Sequence, residues 1–80
     1  MSIDLKPDKT VDCIGLYCPI PILKAREALY TLTIGQILEL VADDPVAEED
    51  IKYLIKTTGQ QLLAIRKEDG ELHFFIKKEK

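Results

Sequence analysis

The residues best suited to chemistry lie together in Asp12-Cys13-Ile14-Gly15-Leu16-Tyr17-Cys18-Pro19-Ile20-Pro21. Cys18 stands directly before a Pro-x-Pro sequence, where a helical period begins. Proline at 19 pushes its predecessor out of the α region, as an N-cap requires, and itself suits the first helical position. Pro21 is then the third helical residue, where a missing N–H does little harm because the first four amides have no intrahelical partner. A helix N-terminus carries about half a positive charge, worth up to roughly 2 kcal/mol to a nearby anion. At about 1.4 kcal/mol per pKa unit, that field lowers a thiol from its ordinary value of about 8.5 by about one unit. The two prolines remove amides that would otherwise point at sulfur and leave Ile20 N–H as the nearest good donor. Cys18 is therefore expected to be a moderately acidic thiol, ionised enough to attack and basic enough to attack well. A persulfide on the same sulfur is more acidic than the thiol and gains more from the same field.

Cys13 falls at an inward position of a strand, where a cysteine is expected to be packing. The spacing is C-x4-C, not C-x-x-C, and the chain has one histidine, His73. A structural zinc site needs four ligands, so Cys13, Cys18 and His73 stop short of one and no metal is expected. A thiol protease needs a histidine beside the nucleophile, and His73 reads as an exposed residue of a terminal hairpin. Four isolated glycines make no phosphate loop. No cofactor is expected. A bridge between Cys13 and Cys18 requires Cα atoms within about 7 Å, so the turn at Gly15 would have to fold back tightly.

The elements that position this segment are legible from periodicity. Thr10 to Ile14 reads as a first strand, with Val11 and Cys13 on one face, ending at Gly15. From Pro19, Ile22, Ala25, Leu29 and Leu32 recur at helical spacing, with Leu23 and Ala28 widening the stripe, and Gly35 marks the end. Ile37 to Ala42 is a second strand. Asp44-Pro45 supplies an N-cap and a first helical proline, Glu48, Glu49 and Asp50 suit the positive end of a helix, and Gly59 suits its C-terminal stop. Leu62 to Lys67 and Leu72 to Lys77 flank Asp69-Gly70, the preferred centre of a type I′ hairpin turn. The order β-α-β-α-β-β predicts an α/β, two-layer sandwich: a four-stranded mixed sheet with both helices on one face, since each helix has one apolar stripe to bury.

Eighty residues fit one domain, 1–80, which buries roughly 63% of its unfolded surface, enough for one thin core and too little for a deep substrate cavity. No run approaches the roughly 20 apolar residues of a membrane span. Met1 to Lys9 is polar and lacks the pattern of a secretory signal or transit peptide, so a cytoplasmic location is expected, with thiols rather than a structural bridge. The net charge of −3 argues against a phosphate-backbone surface, so no direct nucleic-acid contact is expected. Lys77, Lys78 and Lys80 read as a solvated tail. Nothing demands a dimer, and a monomer is expected.

These residues resemble the TusA/SirA family of small sulfur carriers, which includes YedF and YeeD. The matching pattern is Asp12, Gly15 and Cys18-Pro19-x-Pro21, then Leu23-Lys24, Gly35, Asp43-Asp44-Pro45 and Thr58-Gly59, spread over nearly the whole chain. The resemblance implies a fold like the C-terminal domain of translation initiation factor three. It implies that Cys18 accepts sulfane sulfur as a persulfide and relays it to another protein's cysteine. It also implies donors of cysteine desulfurase or rhodanese type, and acceptors of TusD/DsrE type in tRNA thiolation, sulfur oxidation or related trafficking. Two residues depart from the pattern: Gln60 stands where many members have histidine, and Tyr17 where the best-known tRNA-thiolation carrier has arginine. Cys13 is present in some members only.

On this reading the chain is a sulfurtransferase of the carrier type. Pro19 and Pro21 fix the helix start, Gly15 permits the turn that presents Cys18, and Asp12 anchors the loop. Two alternatives remain at this point: a dithiol redox or thiosulfate-processing module using Cys13 with Cys18, and a non-catalytic binding or regulatory module.

Overall fold

The computed structural model describes residues 6–17 and 19–80. Six elements follow in the expected order: β1 (Lys9–Cys13), α1 (Ile20–Thr31), β2 (Ile37–Ala42), α2 (Ala47–Thr58), β3 (Gln61–Glu68) and β4 (Glu71–Lys77). The sheet order is β1-β2-β4-β3. β1 runs parallel to β2, and β4 is antiparallel to both of its neighbours. The crossover through α1 thus links adjacent strands, whereas the crossover through α2 leaves a gap that β4 fills. The hairpin turn folds β4 back into that gap. Asp69 and Gly70 both have positive φ, 48° and 80°, as a type I′ turn requires.

One row across the sheet, Val11, Leu40, Phe74 and Ile65, shows how the core is made. It faces the helices together with Cys13, Leu38, Ala42 and Ile76, against Ala25, Ala28 and Leu29 of α1 and Ala47, Ile51 and Leu54 of α2. Both helices lie on this face, as their single stripes demand. β3 departs from simple alternation. Leu62 pairs with Ile76 and Ala64 with Phe75, so one extra residue is inserted as a bulge. The bulge lets Leu62 and Ile65, three residues apart, both pack on the core.

Helix α1 ends at Thr31, well before Gly35. The ammonium of Lys78 donates to the carbonyls of Leu29 (2.6 Å) and Leu32 (2.8 Å) and caps the helix from the far end of the chain. Lys78 is therefore a capping residue and not part of a solvated tail. Leu23, expected in the inner stripe, is exposed, while Ile22 is half-buried. Helix α2 begins at Ala47, two residues later than Asp44-Pro45 suggests. Asp44 still serves its start: its carboxylate accepts Val46 N–H (3.1 Å) and its carbonyl accepts Ala47 N–H (2.9 Å). Glu48 in the first turn is paired with Lys52 and Lys67, which hold its carboxyl below the usual range. Gly59 ends α2 in the left-handed conformation at φ 77°.

The sheet face without helices carries a polar cross-strand network. His73 is not exposed: its Nδ1 lies 2.9 Å from Glu39 Oε2 and its Nε2 lies 3.3 Å from Glu71 Oε1, with the side chain 20% accessible. The hydrogen bond to Glu39 raises the histidine pKa, burial works against this, and Glu71 adds to it. Because the folded value is raised, the stabilisation is complete below the unfolded pKa of about 6.5 and is lost as pH rises through the folded value. Urea titrations of wild type and Glu39→Gln should therefore differ most at about pH 5.5 and converge in alkali. An equal cost at all pH values would refute the pairing.

Candidate functional site

The site is built where the parallel strands β1 and β2 end side by side, Cys13 opposite Ala42. Cys13 closes β1 at 0% exposure, inside the core, and burial raises its thiol pKa, with Lys24 pulling the other way. The chain then turns sharply. Asp12 Oδ1 accepts Ile14 N–H (2.9 Å), Leu16 N–H returns to the Cys13 carbonyl (3.1 Å), and Gly15 takes φ 80°. A Cβ at 15 would meet no atom within 4 Å, so glycine is favoured here by backbone conformation and not by space at that atom. Asp12 and Gly15 both act within the turn that leads from β1 toward the Pro-x-Pro segment.

Asp43 belongs to the family pattern in the sequence, which gives it no role at the turn. It follows β2, and its Oδ1 accepts Gly15 N–H at 3.0 Å, tying the loop after β2 to the turn after β1. The contact spans 28 residues, and only the parallel register of β1 and β2 brings its partners together.

Cys18 lies outside the described residues, and its neighbours frame it. Tyr17 is 69% exposed. Ile20 N–H donates to the Tyr17 carbonyl at 2.8 Å, and the first α-helical bond runs from Leu23 N–H to the Pro19 carbonyl at 3.2 Å. Two expectations are corrected by this. The helix begins one residue later than read, with exposed Pro19 as N-cap (φ −97°, ψ 14°) and buried Pro21 as the second helical residue. Ile20 N–H, expected to be the donor nearest the sulfur, is already occupied by Tyr17. Of the first-turn amides, only that of Ile22 has no acceptor among the described residues. Around this end Ile14, Tyr17, Ile20, Leu23 and Val46 expose large apolar side chains on the two loops and the two helix starts. Single exposed apolar residues are ordinary on a protein surface; these five lie on the elements that flank the Pro-x-Pro segment.

Among the described residues no helix is long and apolar enough to cross a membrane. A family model described as sulfurtransferase TusA matches residues 9–78. A putative sulfur carrier protein of Archaeoglobus fulgidus is 53% identical over 70 residues, covering 86% of this chain and 91% of that protein. The sulfur carrier protein TusA of Allochromatium vinosum is 41% identical over 71 residues, covering 89% and 93%. The crystal structure of a SirA-like protein from Desulfitobacterium hafniense superposes with a TM-score of 0.79 at 25% identity, covering 90% of this chain and 99% of that one. The match across residues 9–78, together with relatives 53% and 41% identical over most of the chain, makes this chain a member of the TusA family of sulfur carriers.

Proposed function

We propose that the chain relays sulfane sulfur as a persulfide on Cys18, taking it from one protein and delivering it to another. Membership of the sulfur-carrier family, with Cys18 alone of its two cysteines standing in the Cys-Pro-x-Pro segment, carries this reading. In the loading step the Cys18 thiolate attacks the outer sulfur of a donor persulfide. A new S–S bond forms, the donor's S–S bond breaks, and the donor leaves as a thiolate. In the delivery step an acceptor thiolate attacks the outer sulfur of the Cys18 persulfide, and Cys18 leaves as a thiolate. Each step exchanges one S–S bond for another, so no oxidant or reductant is consumed. The donor is of the cysteine desulfurase or rhodanese type and the acceptor of the TusD/DsrE type. The apolar collar of Ile14, Tyr17, Ile20, Leu23 and Val46 supports docking of such partners at this end.

The dithiol alternative requires Cys13 to become a thiolate while fully buried and with its pKa raised, and a core thiol is a poor nucleophile. Cys13→Ala should accordingly load sulfur at the wild-type rate, while unfolding about 1 kcal/mol more easily from the lost packing. Intact-mass spectrometry after exposure to a sulfane donor measures the first effect and urea denaturation the second. Loading that stalls in Cys13→Ala would favour the dithiol mechanism.

A further inference from the structure

A second feature lies away from the Cys-Pro-x-Pro segment, between the C-terminal half of α1, the end of α2 and residues 78–80. It is an open cavity of about 270 Å³. Its charged lining residues are all cations, Arg26, Lys78 and Lys80, on a chain of net charge −3. The placement of Lys80 is organised by Gln60, one of the two residues that depart from the family pattern. Its Oε1 accepts Glu79 N–H (2.7 Å) and Lys80 N–H (3.2 Å), and its Nε2 donates to the main-chain oxygen of Lys80 (3.2 Å). This strap lays the Lys80 side chain over Gly59, where a Cβ would stand 3.1 Å from Cε and 3.2 Å from Nζ. A Cβ at 59 would press on the Lys80 side chain and shift it by a few tenths of an ångström.

The donors are differently committed. Lys78 spends two of its three on the last carbonyls of α1, which also offsets the negative helix end that would repel an anion. Arg26 and Lys80 have no acidic partner among the described residues. A guanidinium fork and an ammonium lining one cavity match the oxygens of a tetrahedral oxyanion. Leu29 and the exposed ring of Tyr30 supply an apolar wall for an organic remainder. The volume admits only a small ligand.

We propose that this cavity binds a small metabolite through a doubly charged oxyanion group, phosphate or sulfate, held by Arg26 and Lys80. The site is independent of sulfur transfer, and its test reads binding alone. The full chain is titrated with inorganic phosphate and, separately, with inorganic sulfate, at constant ionic strength balanced by sodium chloride, while amide chemical shifts are followed. Saturable shifts confined to residues 26–30, 59–60 and 78–80 are expected. Arg26→Ala and Lys80→Ala should each weaken Kd about tenfold, as loss of one charge-assisted contact does. Saturation by one anion and not the other identifies the head group, and saturation by both leaves the class as stated. Absence of saturable shifts with both anions, or shifts that persist unchanged in the doubly substituted protein, would overturn the proposal.

Discussion

Cys18→Ser is expected to reduce sulfur loading to the uncatalysed background while leaving the unfolding transition where it is. Serine keeps the size and backbone of cysteine, so it can follow Tyr17 and precede Pro19 without altering the turn closed by Ile20 N–H and the Tyr17 carbonyl. What it loses is the nucleophile. A hydroxyl is not ionised near neutrality, whereas a thiol starting near 8.5 is partly ionised and is a far better nucleophile toward sulfur. The remaining cysteine cannot compensate, because Cys13 is sealed in the core with a raised pKa. The loss should therefore be complete and not partial. The measurement pairs mass spectrometry of the loaded protein with urea denaturation of the same preparation. A variant that still gains sulfur would refute Cys18 as the acceptor.

Phe74→Ala should have the largest effect on stability. Phe74 is fully buried at the centre of the inner face, in register with Leu40 on one side and Ile65 on the other. It belongs to the cluster that joins both helices to the sheet. Truncating such a ring costs about 3–5 kcal/mol through lost burial and the cavity left behind. A domain of this length has a total of about 4–12 kcal/mol to lose. The variant should therefore be largely unfolded or show a sharply lowered urea midpoint. Phe75→Ala provides the contrast. That ring is 3% exposed, but it lies on the helix-free face, outside the cluster that joins the helices to the sheet, with the Arg66 guanidinium 5.2 Å from its centroid, so its truncation leaves that cluster intact and should cost less. Equal losses in the two variants would contradict the assignment of the core to the helix-bearing face.

The extent to which the fold was legible follows from how local each signal is. The six elements and the hairpin turn are written in short-range patterns: Ala25, Leu29 and Leu32 at helical spacing, Leu38, Leu40 and Ala42 in alternation, and Asp69-Gly70 between strands. The end of α1 is not written locally, because the group that stops it, the Lys78 ammonium, arrives from the last strand. The insertion of β4 between β2 and β3 likewise depends on three-dimensional packing, which periodicity alone does not encode. The same division holds at the candidate site. The Asp12 hydrogen bond and the positive φ of Gly15 both lie within one short turn, so their signals are local. Asp43 acts on Gly15 from the next strand, and the role of Gln60 becomes visible only once residues 78–80 lie across it.

The central claim is best tested by locating the sulfur. Cys13 and Cys18 fall in one tryptic peptide, residues 10–24, so the peptide's mass alone cannot separate them. The protein is treated with a sulfane donor, its persulfide is trapped by alkylation, and the fragment ions of that peptide are read. The account predicts one added sulfur, carried only by fragments that contain Cys18. Sulfur on fragments that contain Cys13 but not Cys18, or a peptide that gains none, would contradict it.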